Sequence, residues 1–97
     1  MAKGYVVVHL EVTDLAKFEQ YRSKVPATIE QYGGRYLVRG GGMETLEGAG
    51  LPSRNVIIEF ESLQAAKTWY HSPEYQAIIG LRLEASNGHA QVVEGVD

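Results

Sequence analysis

An imidazole, a carboxylate and two guanidinium groups fall on stretches of this chain that read as β-strands: His9 in GYVVVHLEV, Arg35 and Arg39 in RYLVR, and Glu59 in NVIIEF. An imidazole tuned by a carboxylate takes up a proton near neutral pH, and a guanidinium holds an enolate or carboxylate as charge develops. In that scheme His9 is the base, Arg39 the anion anchor and Glu59 the group that orients the base. Side chains alternate along a strand, so Arg35, Leu37 and Arg39 are expected on one face and Tyr36 and Val38 on the other, with the two guanidinium groups about 7 Å apart. The structural alternative is an ion-pair network in which Arg39 and Glu59 fix the register of two subunits and His9 is an interface residue; the balance favours that alternative, because structural networks also perturb charges.

Six tyrosines, two phenylalanines and one tryptophan are many aromatics for so short a chain. Phenol groups could line a pocket between helices and sheet and orient an aromatic or polyketide-like substrate, with Arg35, Tyr36, Tyr70 and Tyr75 as the candidate ligand contacts. Helical spacing alone accounts for Phe18, Tyr21, Tyr32 and Trp69 as core. His71 beside Ser72 suggests a base and a nucleophile, but adjacent residues seldom present their side chains to each other, and Ser72 is better used as a helix cap. His9, His71 and His89 show no close ligand spacing, so neither a metal nor a haem cofactor is expected. The glycines from Gly40 to Gly50 lead into no helix, which argues against a phosphate cradle.

The elements that must position these groups follow from periodicity. Val6, Val8, Leu10 and Val12 share one face of a first strand, and Tyr5, Val7, His9 and Glu11 the other. Thr13 and Asp14 offer N-caps to an amphipathic helix with Leu15, Phe18, Tyr21, Val25, Ile29 and Tyr32 on its apolar stripe, and Pro26 predicts a kink or two segments. Gly33 stops that helix and sets up the strand from Arg35 to Arg39. The glycine-rich segment from Gly40 to Ser53 reads as a flap or hairpin extension. Asn55 to Phe60 is a third strand. Ser62 caps a helix through Leu63, Ala66, Trp69 and Tyr70, and Ser72-Pro73-Glu74 starts another through Ile78, Leu81 and Leu83. Ser86-Asn87-Gly88 is expected to end it before a last strand from Ala90 to Glu94.

Strand, helix, two strands, helix, strand is the ferredoxin-like βαββαβ order, an α+β fold with an antiparallel sheet, helices on one face and the first and third strands central. With helices on one side only, the mixed face of Tyr5, Val7, His9, Arg35, Leu37, Arg39, Ile57 and Glu59 lies open unless another subunit covers it. That predicts a homodimer built sheet to sheet, a dimeric α/β barrel.

With 97 residues, 44% of them hydrophobic and 22% charged, the chain fits one domain over 1–97 with one core. A formal net charge of −3 argues against nucleic acid or an anionic membrane as partner and leaves small molecules and proteins. The absence of cysteine means that packing alone holds the fold. The apolar run Tyr5 to Leu10 is too short for a signal peptide, and nothing approaches the ~18 apolar residues of a membrane span, so a cytoplasmic location is the default expectation.

Lys3-Gly4-Tyr5, Val12-Thr13-Asp14, the run from Gly33 to Gly41, Ile57-Ile58-Glu59-Phe60 and the run from Trp69 to Gln76 together resemble the bacterial family known as domain of unknown function 1330. The resemblance covers nearly the whole chain and implies the ferredoxin-like fold in its dimeric α/β-barrel form. It implies no particular activity, because relatives of that barrel include cofactor-free monooxygenases, small isomerases, haem-dependent chlorite dismutases and ligand-sensing modules. Two functions follow as expectations. One is a small dimeric, cofactor-free enzyme acting on an organic acid or activated aromatic by proton transfer or oxygenation. The other is a non-catalytic module that binds a ligand or only dimerises.

Overall fold

The computed structural model describes residues 2–52 and 54–97. Alternation in the first stretch produces β1 (Gly4–Val12), which buries Val6, Val8 and Leu10 and leaves Val7 and His9 half-buried on its other side. The Asp14 side chain then caps α1 (Leu15–Gln31) by accepting from the Lys17 amide at 3.1 Å. Of the kink or two segments expected at Pro26, the two segments are not there: α1 runs as one helix of 17 residues across the proline. Proline has no N–H to give the carbonyl four residues back, that of Arg22. The Arg39 guanidinium supplies the missing donor at 2.9 Å. Gly33, at φ 77°, ends the helix as expected: its amide and that of Gly34 bond back to the carbonyls of Glu30 and Ile29.

β2 (Arg35–Arg39) pairs antiparallel with β3 (Arg54–Phe60), but not in continuous alternation. Tyr36 opposes Ile58 and Val38 opposes Ile57, so one residue of β2, Leu37, bulges out of the ladder. A bulge resets which side each later residue faces. Arg39 therefore opposes Val56, on the side of the sheet that carries Ile58 and the core, and does not share the face of Arg35. This corrects the expected Arg35–Leu37–Arg39 face. Among the described residues, none between β2 and β3 is in a strand, so the expected hairpin extension is not there; Ser53, the end of that segment, lies outside the described residues. The linker is exposed from Gly40 to Leu51 and is tied down at its start, where the Gly40 amide donates to the Asn55 carbonyl and the Asn55 side chain to the carbonyl of Gly41.

Ser62 and Ser72 act as the expected caps of α2 (Leu63–Tyr70) and α3 (Pro73–Ala85), accepting from the amides of Ala65 and Tyr75 at 3.0 and 3.1 Å. The expected turn at Ser86-Asn87-Gly88 is absent: β4 (Ser86–Glu94) starts directly at the end of α3 and pairs with β1 along its whole length. Gly88 is used for close approach instead, since a Cβ there would strike the His9 carbonyl of β1.

The sheet order is β2-β3-β1-β4, all antiparallel, with β3 and β1 central, which is the ferredoxin-like arrangement. Val6, Leu10, Ile58 and Phe60 meet Phe18, Val25, Ile29 and Trp69 in the core between sheet and helices. The Trp69 indole stays satisfied there by donating to Thr28 Oγ1 at 3.0 Å, which itself donates to the Val25 carbonyl at 2.8 Å. No helix among the described residues is long and apolar enough to cross a membrane.

Candidate functional site

The groups first proposed as a catalytic set are not brought together. His9 opposes Asn55 on one side and His89 on the other, whereas Glu59 opposes Tyr5 and Arg35. Glu59 thus lies four residues along β3 from the neighbour of His9, roughly 13 Å at ~3.3 Å per residue. Arg39 is on the other face, for the reason given by the bulge. The carboxylate of Glu59 is engaged by Arg35, whose Nε donates to it at 3.0 Å, so Arg35 and not Arg39 is its ion-pair partner.

The covered face is different in kind. A cavity of about 40 Å³ lies between the helices and the sheet, with Val6, Val8, Leu10 and Ile58 as its floor. Tyr36, Tyr70 and Tyr75, three of the four expected ligand contacts, line it, and so does Arg39; Arg35 does not. The bulge in β2 and the proline in α1 explain Arg39, which stays exposed at the rim: one places it on the helix side of the sheet and the other gives its guanidinium an acceptor. It lies 4.7 Å above the Tyr36 ring.

Arg82 was not singled out by sequence reasoning, and it is the most informative group in the cavity. It is buried to 7% exposure, and its Nε donates to the Tyr75 hydroxyl at 3.2 Å. Among the described residues, no carboxylate forms an ion pair with it. Tyr75 and Tyr21 share a further hydrogen bond of 2.8 Å. A buried guanidinium is ordinarily paired; here its partners are phenols. Burial works against the charge on Arg82, but the phenol oxygens of Tyr75 and Tyr21 outweigh it and hold the group above the ordinary arginine value. Burial, followed by the neighbouring Tyr75, pushes the Tyr21 phenol far above its ordinary range, so it stays protonated at any physiological pH. Arg82 sits between Leu81 and Leu83, three residues after Ile79 on the apolar stretch of α3, and that pattern break was the one signal in the sequence that could have marked it.

Four of the chain's five arginines, Arg22, Arg39, Arg54 and Arg82, line this cavity, and among the described residues no aspartate or glutamate does. An adjoining cleft of about 280 Å³ runs between α2 and β4, lined by Lys67, Tyr70, His71 and Gln91 among apolar residues. Val6, Tyr70 and Ala90 belong to the walls of both. The inner cavity as it stands has room for water and no more, but the two spaces together reach the lower edge of the ~300–1,000 Å³ of small-molecule sites, and Tyr70 belongs to the wall they share. Among the described residues, no cluster of three or more metal-ligating side chains occurs.

The model of the family described as "Domain of unknown function (DUF1330)" matches residues 3–96. No curated protein matches the chain. Among solved structures, the RPA0582 protein of unknown function from Rhodopseudomonas palustris is similar in fold, with a TM-score of 0.68 at 16% identity over 96% of this chain and 78% of that one. SnoaB, a cofactor-independent oxygenase from Streptomyces nogalater, gives a TM-score of 0.65 at 12% identity over 100% of this chain and 96% of its own. A candidate antibiotic biosynthesis monooxygenase from Nitrosomonas europaea gives 0.55 at 16% identity, covering 98% and 89%. At these identities the likeness is one of fold.

Proposed function

We propose that this chain, which belongs to the DUF1330 family, is a cofactor-free enzyme that holds a small acidic or enolisable aromatic molecule as its anion in the cavity between helices and sheet. The observation that carries this reading is Arg82, a buried guanidinium bonded to a phenol instead of a carboxylate. A permanent positive charge in a water-poor site stabilises an anion far more than the same charge in water, and it does so without reorganising. Tyr75, fixed between Arg82 and Tyr21, offers a hydroxyl beside that charge, and Tyr36 and Tyr70 supply flat walls for an aromatic ring. Among the described residues, no imidazole or carboxylate lines the inner cavity; the imidazole of the two linings is His71, in the outer cleft. A stabilised carbanion or phenolate is the species that can react with oxygen without a cofactor, and the likeness in fold to a protein described as a cofactor-independent oxygenase supports that direction.

Oxygen uptake measured with a panel of phenolic and enolisable aromatic acids tests the reading. Arg82→Met should lower turnover at least tenfold while His9→Ala, outside the cavity, leaves it within twofold. The opposite pattern overturns it. A second reading, binding without turnover, is favoured by the lack of a base in the inner cavity; saturable binding of a panel member with no oxygen uptake and no product would select it.

The open face of the sheet, with Tyr5, Val7, Ile57 and Val93 around His9, His89 and Glu59, supports pairing with a second copy of the chain, the arrangement of a dimeric barrel. Sedimentation should give the mass of two chains and, for Ile57→Asp, of one. A single-chain mass for the unaltered protein would remove the barrel from the account.

A further inference from the structure

Three of the cavity's four arginines stand apart from Arg82 and have no role in the reading given for it. Arg22 comes from α1, Arg39 from β2 and Arg54 from β3, and all three line the end of the cavity where β2, β3 and α1 meet. The Arg54 guanidinium lies 4.9 Å above the Phe18 ring, as Arg39 lies above Tyr36. Arg54 Nε is buried with no hydrogen-bond partner among the described residues. Burial, and then the like charges of Arg22 and Arg39, hold Arg54 below the ordinary arginine value. One carboxylate answers these three cations: Glu19, 3.5 Å from Arg22 on the exposed side of α1 and not part of the lining. Arg39 is exposed and the Arg22 side chain 41% exposed, so the cost falls on Arg54, whose buried Nε has an unmade hydrogen bond that an anion would complete.

We propose that Arg22, Arg39 and Arg54 form a carboxylate-binding subsite, which makes the substrate of the proposed reaction an aromatic carboxylic acid. The inference rests on the reading of the cavity as a small-molecule site and adds the class of molecule. A guanidinium laid over a ring keeps its N–H edge free in its own plane, which suits the flat, two-oxygen edge of a carboxylate. Arg39 already gives one N–H to the Arg22 carbonyl and Arg22 meets Glu19 at 3.5 Å, so Arg54 carries the greatest share of the anion. The ring then extends along Tyr36 toward Tyr75 and Arg82. A ring exceeds the present 40 Å³, and its entry requires Tyr70 to swing toward the cleft.

Trp69 is the only tryptophan of the chain and part of the cavity wall, so its fluorescence reports on the site. Titration of the full chain with benzoate, benzamide, acetate and inorganic phosphate separates the outcomes. The subsite predicts that benzoate perturbs Trp69 saturably, with benzamide and acetate each at least tenfold weaker. Arg54→Met and Arg22→Met should each weaken benzoate at least tenfold, with unchanged far-ultraviolet circular dichroism. Lys24→Met, which removes the same charge from the exposed side of α1, should leave it within twofold. Equal binding of benzoate and benzamide overturns the carboxylate subsite while leaving the cavity reading standing, and so does equal loss in Arg54→Met and Lys24→Met. Phosphate displacing benzoate at equal concentration overturns the choice of carboxylate. No response to benzoate or benzamide overturns both the subsite and the cavity reading.

Discussion

The two faces of the sheet carry similar residue types and use them oppositely. On the open face, Arg35 meets Glu59 at 3.0 Å with its own side chain 71% exposed, so the charge is answered and largely in water. On the covered face, Arg82 is buried against phenols, and Arg54 keeps an unpartnered Nε. Polarity by itself therefore does not locate a site; polarity left unanswered in a dry place does. In the proposed reading the open face serves association and the covered face serves chemistry.

The sharpest break in the comparison is at the core. Trp69→Ala removes a ring packed 5.5 Å from Phe60 and 4.2 Å from Tyr75 and leaves Thr28 without its donor, and should cost about 3–5 kcal/mol in chemical denaturation. Val7→Ala on the open face, where the side chain is half-exposed, should cost under about 1.5 kcal/mol at concentrations where the chain is monomeric. A second, smaller contrast compares the two arginine contacts. Tyr75→Phe strips a buried partner from both Arg82 and Tyr21 and should cost about 1–3 kcal/mol, whereas Arg35→Ala should stay within about 1 kcal/mol because the guanidinium it removes is largely in water and water can take its place at Glu59. Equal losses in the two would mean that the phenol network is no more buried in effect than the surface pair.

The smallest effect is on pH dependence. Tyr21 has its proton held in the folded chain by burial, and then by Tyr75, above the ordinary value of 10.0. A raised acid contributes stability that is complete below the unfolded value and is lost as pH rises past it, because the unfolded phenol ionises while the folded one cannot. The thermal midpoint should therefore fall above about pH 10 and fall less steeply in Tyr21→Phe. An identical slope in the two proteins would place the alkaline loss elsewhere.

Much of the scaffold was legible because local chemistry and tertiary need coincide in it. Asp14, Ser62 and Ser72 are caps by residue type, Gly33 stops a helix by conformation, and alternation in β1 marks its buried face. The failures occur where one element completes another. Pro26 reads as a helix break, yet Arg39 from β2 answers the carbonyl it leaves bare. Strict alternation places Arg39 beside Arg35, but the bulge at Leu37 is invisible without the partner strand. Tyr36, Tyr70 and Tyr75 were legible as pocket candidates by composition. Arg82, Arg22 and Arg54 were not, because a lone arginine in a helix or at a strand end reads as a solvated charge, and only the assembled layers show how little carboxylate surrounds it.

The claim on which the rest depends is that ligands enter beneath the helices and not onto the open face. Nitrogen–proton correlation spectra of the labelled protein, recorded during a benzoate titration, test it residue by residue. The account predicts saturable shifts of the Trp69 indole and of the Tyr36, Tyr75 and Arg82 amides, with His9, Ile57 and His89 stationary. Shifts confined to His9, Ile57, Glu59 and His89, with the Trp69 indole unmoved, would contradict it.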